Sequence, residues 1–116
     1  IITAKRSAIG KIPGELNYKI ELYNNHLSSK DIDLYEINES FAGQAIYTIN
    51  CLKLDIAKVN VNGGNLALRY PIGTTGLRMN ISILYEMLRR KVRFGLSVMC
   101  AGGYMANATI LENSYS

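Results

Sequence analysis

Apolar positions along the chain fall into short β-branched runs and longer stripes at helical spacing. Ile1-Ile2-Thr3-Ala4 predicts a short strand, and Gly10, Pro13 and Gly14 break the segment after it. Ile20, Tyr23 and Leu27 recur at helical spacing, with Asn24-Asn25 as a stop. Asp31 to Ile37 alternates as a strand. Ser40 is a candidate N-cap for a helix whose stripe is Ala42, Ala45, Ile46, Ile49 and Leu52. Val59-Asn60-Val61 predicts another short strand. Gly63 to Gly76, with four glycines and Pro71, reads as a loop of demanding backbone geometry. A second strong helix comes next, with Leu77, Ile81, Leu84, Tyr85 and Leu88 as its buried face and Glu86 pairing with Arg90 on the other. Phe94 to Cys100 and Met105 to Leu111 read as strands joined by a Gly102-Gly103 turn, and residues 113–116 form a polar tail.

The order βαβαβαββ places the chain in the α/β class. It predicts a mixed, mostly parallel five-stranded sheet flanked by helices, its last two strands antiparallel. Composition agrees with one domain over residues 1–116: 48% hydrophobic and 19% charged residues suit a globular core and argue against disorder. No apolar run approaches the roughly 18 residues a membrane span needs. No apolar segment lies between Ile1-Ile2 and Lys5-Arg6, so no signal peptide is read, and a cytoplasmic setting is expected, with Cys51 and Cys100 as reduced thiols.

The net charge of +4 is mild. Arg89, Arg90, Lys91 and Arg93 are its densest cluster; they suit a helix C-terminus better than a phosphate or RNA site. The eight tyrosines are scattered and tryptophan is absent, so nucleic-acid binding is not expected. The single His26 has no neighbours at ligand spacing, and no metal site is expected. Neither a Walker loop nor GxGxxG is present.

Three segments remain: Asn38-Glu39-Ser40-Phe41-Ala42, Asn60-Val61-Asn62-Gly63-Gly64 running to Tyr70-Pro71-Ile72-Gly73, and Cys100-Ala101-Gly102-Gly103. In this order and spacing they resemble the C-terminal half of the thiolase family, acetyl-CoA acetyltransferases and 3-ketoacyl-CoA thiolases, from about Ile20 to Glu112. Ile1 to Lys11 resembles the extreme N-terminus of a full thiolase. The resemblance implies that most of the N-terminal half is missing and that Ile1 to Ala4 takes the place of a lost first strand.

Thiolases run a Claisen condensation, or its reverse, on coenzyme A thioesters. The resemblance makes Cys100 the acid/base cysteine, Asn38 the residue that orients an oxyanion-site water, and the Gly102 N–H an oxyanion donor. Gly63, Gly64 and Gly73 are expected to meet backbone requirements. Two departures stand out. The family's Gly-His-Pro reads Arg69-Tyr70-Pro71 here, and tyrosine titrates near pH 10, too high for a base at neutral pH. The nucleophilic cysteine belongs to the missing half, and Cys51, on the apolar face of a helix, does not match it.

The expectation is therefore a thiolase-like acyltransferase chain that is inactive by itself. No tightly bound cofactor is expected; a coenzyme A thioester is the candidate substrate, held weakly at best. The alternatives are half of a split enzyme completed by a companion chain, and a non-catalytic assembly module. A lone half should expose the face that packs on its sister, so a homo-oligomer or a companion half is expected.

Overall fold

The computed structural model describes residues 3–6, 22–101 and 105–114. Its elements in chain order are β1 (Thr3–Arg6), β2 (Leu34–Ile37), α1 (Ala42–Cys51), a 3-10 turn (Ile56–Lys58) and α2 (Asn65–Leu68). A second 3-10 turn (Ile72–Thr74), α3 (Thr75–Arg90), β3 (Phe94–Ala101) and β4 (Met105–Glu112) complete them. The architecture is α/β, as expected. Among the described residues the sheet has four strands, ordered β1-β4-β3-β2, and not five. The pairs β1·β4 and β3·β4 are antiparallel, while β2·β3 is parallel. Three of the four strands thus share a direction, and β4 alone runs against them.

The expected strand at Val59–Val61 shrinks to one parallel bridge, Tyr35 to Val59. The cause is Asn60. Its backbone turns left-handed (φ 47°), ending the extended run. Its side-chain amide then does the pairing a next strand residue would have done. Oδ1 accepts from Ile37 N at 2.7 Å and Nδ2 donates to Ile37 O at 2.9 Å. Both Ile37 backbone groups are satisfied without further β-structure.

Side chains alternate across the sheet and build two cores. Tyr35, Ile37, Leu96, Val98, Ala108 and Ile110 pack with Leu22 and Ile32, and partly buried Ile49 and Leu52 close over them. Leu34 and Leu111 pack on the opposite face against Ile83 and Met87 of α3. A Cβ on Gly95 would collide with Met87 Sδ and Ile83, so glycine lets α3 lie close against β3.

Four side-chain expectations are corrected. The α3 stripe Leu77, Ile81, Leu84, Tyr85 and Leu88 does not face the sheet: these residues are 44–69% exposed. The buried face is Thr75, Met79, Ile83, Glu86 and Met87. Leu22, not Tyr23, is the core residue near the start of the described chain, Tyr23 being exposed, while Ile20 lies outside the described residues. Phe41 rather than Ser40 is the N-cap of α1. Ser40 Oγ is occupied by Asn38, and its backbone N–H is taken by Gln44 Oε1. Cys51, placed in sequence on an apolar helix face, is exposed.

The basic cluster is engaged at the end of α3. Glu86 is buried and accepts from Arg89, Arg90 and Asn62. Hydrogen bonds from Arg89 first, then from Asn62, hold its carboxyl well below the usual range. Arg93 pairs with Glu112 at 2.8 Å and lies over the Phe94 ring. No helix among the described residues is long and apolar enough to cross a membrane.

Candidate active site

The C-terminal ends of β2 and β3 lie side by side, and Asn38 meets the glycine-rich bend there. Asn38 directly succeeds β2, and its backbone N–H donates to Val98 O at 2.9 Å. Its side chain, 1% exposed, joins the second motif. Asn38 Oδ1 accepts from Asn65 Nδ2 at 2.7 Å. Asn38 Nδ2 donates to Ser40 Oγ at 2.9 Å and to the Tyr70 hydroxyl at 3.3 Å. The first segment and the glycine-rich bend are therefore one hydrogen-bonded unit.

Glu39 locks the same unit from the other side. Its carboxylate accepts from Asn60 Nδ2 and from the backbone N–H of Leu66, each at 2.9 Å, the latter within the first turn of α2. Gly64 sits directly against this carboxylate, and any Cβ there would occupy the carboxyl's place. This is the physical need for glycine at position 64. Gly63 takes φ 86°, which favours glycine for a different reason.

Arg69 is the anomaly of the bend. It holds φ 73° and ψ 162°, a region populated almost only by glycine. A glycine would hold this geometry without the strain that arginine's Cβ brings to it. Next to it, the partly exposed Tyr70 hydroxyl accepts from Asn38 Nδ2 at 3.3 Å.

Cys100 lies near the C-terminal end of β3, two residues past the Val98 that pairs with Ile37. By strand alternation it takes the parity of Leu96 and Val98, whereas Asn38 continues that of Leu34 and Glu36. Asn38 and the bend are in direct contact; Cys100 shares their end of the sheet on the opposite parity. Burial pushes the Cys100 thiol up from its ordinary value. Gly102 lies outside the described residues. A cavity of about 330 Å³ borders the bend, walled by Ala45, Ile46, Ile49, Leu66 and Ala67 with Glu39 at its polar end.

Sequence reasoning missed three members. Asn65 is buried between Asn38 and Arg78. Arg78 Nη2 donates to Asn65 Oδ1 at 3.0 Å, and Arg78 Nη1 stands 3.9 Å from Glu36 Oε2. Glu36 is buried in the middle of β2, and its carboxyl is raised to about 7. Burial is the main cause, opposed by Arg78 and reinforced by Glu39. A carboxylate inside a four-residue strand buried throughout was the available signal.

The family model described as Thiolase, C-terminal domain, matches residues 6–113, and the chain belongs to that family. It is 49% identical over 86 residues to the 3-ketoacyl-CoA thiolase of Bacillus subtilis, covering 74% of this chain and 22% of that protein. It is 39% identical over 111 residues to an acetyl-CoA acetyltransferase of Cupriavidus necator, covering 96% of this chain and 28% of that protein. Human mitochondrial 3-ketoacyl-CoA thiolase in complex with CoA superposes with a TM-score of 0.90 at 34% identity, covering 96% of this chain and 29% of that one. The chain thus spans less than a third of the length of these relatives.

Proposed function

We propose that this chain supplies one half of a thiolase-type site for acyl transfer on coenzyme A thioesters, and that it does not turn over by itself. Asn38 serves one oxyanion position, and Cys100 moves the proton at the substrate's α-carbon. Gly102 is assigned an oxyanion N–H by the resemblance alone. Tyr70 stands where the family has its base and does not replace it. The observation that carries the reading is the direct hydrogen bonding of Asn38 to the Asn65–Tyr70 bend, within a chain matched to the family along nearly its whole length.

The exposed stripe of α3 supports the second part. Leu77, Ile81, Leu84, Tyr85 and Leu88 form an apolar helix face that stays 44–69% exposed. We assign that face to packing against a second thiolase-like half, for which a second copy of this chain can stand in. The test of function is thiolysis of acetoacetyl-CoA by the purified chain. The expected result is no turnover, for the wild type and for Tyr70→His alike. Turnover abolished by Cys100→Ser would overturn the inactive reading.

A further inference from the structure

Four side chains form a hydrogen-bond chain that ends at the bend: Arg78, Asn65, Asn38 and Tyr70. Its direction is forced, because a guanidinium has donors and no acceptor. Arg78 therefore fixes Asn65 with its oxygen inward. The Asn65 NH2 must then face Asn38, so Asn38 turns its own oxygen to Asn65. The Asn38 NH2 is left pointing at Ser40 and Tyr70. Each hydroxyl, having accepted, keeps its own proton to give.

We propose that Asn65 and Arg78 are positioning residues that set the polarity of the Asn38 amide and so make the Tyr70 hydroxyl a hydrogen-bond donor toward the open side of the site. This deepens, and for its purpose rests on, the thioester reading: the oxygen such a donor suits is an acyl carbonyl. The charge behind the chain is loosely balanced. Glu36 Oε2, Arg78 Nε and Arg78 Nη1 are buried without hydrogen-bond partners, and the ion pair between them is long. The guanidinium's field is thus spent along the amide chain rather than on a close carboxylate.

Asn65→Asp tests polarity with little change of shape. The introduced carboxylate still accepts from Arg78, but it offers Asn38 only lone pairs, so the Asn38 amide must turn over. Ser40 and Tyr70 adapt by donating instead of accepting, which keeps the fold. The readout is nuclear Overhauser contact from the Asn38 side-chain NH2 protons to the Tyr70 ring in the labelled, ligand-free chain. Contact in the wild type and its loss in Asn65→Asp, with backbone shifts elsewhere unchanged, is the expected result. A wild-type Asn38 NH2 without contact to Tyr70, or a contact that survives Asn65→Asp, overturns the proposal. If Asn65→Asp fails to fold, the wild-type contact decides alone. Because no substrate is used, failure of the thioester reading leaves this result standing, and the reverse.

Discussion

The side chain of Asn60 pairs with the backbone of Ile37 as a neighbouring strand would, accepting from its N–H at 2.7 Å and donating to its C=O at 2.9 Å. This one residue ends the sheet, turns the chain left-handed and starts the glycine-rich bend. Asn60→Ala leaves two partly buried backbone groups and the Glu39 carboxylate short of a partner. The expected loss is roughly 2–3 kcal/mol, read as a lower urea midpoint at an unchanged slope.

Arg69→Gly removes backbone strain that arginine bears at φ 73°, ψ 162°. Strain of this type costs about 1–3 kcal/mol, partly offset by glycine's greater entropy in the unfolded chain. Thermal unfolding should show a net gain of about 1 kcal/mol. Arg69→Ala, which stays strained, should show none.

Glu36 makes stability fall as pH rises. Its carboxyl titrates at about 7 in the folded chain against an ordinary 4.5. The folded state therefore holds a proton that the unfolded state has released between these values. The stabilisation is complete below about 4.5 and is lost as pH climbs through about 7, a difference of roughly 3 kcal/mol. Glu36→Gln should flatten this window in denaturant titrations at stepped pH. A stability that instead rises across the window, in the wild type alone, would contradict the assignment.

The thiols should separate by reactivity. Cys51 is exposed, whereas burial raises the Cys100 thiol. Iodoacetamide should label Cys51 first, and Cys100 should label only as pH passes the ordinary thiol range of about 8.5. Mass spectrometry of Cys51→Ser isolates the second rate. Fast labelling of Cys100 at neutral pH would reveal an activated thiolate.

The sequence carried β2, β3, β4, α1 and α3 because each leaves local marks. Period-2 runs marked β2, β3 and β4, and Asn38 and the bend were visible as motif residues. The face of α3 was not legible. That helix is apolar on two sides, with Met79, Ile83 and Met87 on one and the Leu77-to-Leu88 stripe on the other. Periodicity finds stripes but cannot say which one meets the sheet. The fifth strand was overread because Val59 and Val61 are β-branched, while the pairing that replaced it uses a side chain, Asn60, that no propensity scale counts. Asn65, Arg78 and Glu36 were missed because their roles arise from contacts between distant segments.

We propose α3 as the contact helix between two thiolase-like halves, its apolar stripe being 44–69% exposed in this structure. Sedimentation equilibrium of the wild type beside Leu84→Lys tests that most directly. Self-association of the wild type into dimers or larger species, weakened or abolished by the lysine, is the predicted result. A wild type that stays monomeric up to its solubility limit, indistinguishable from the variant, would contradict it.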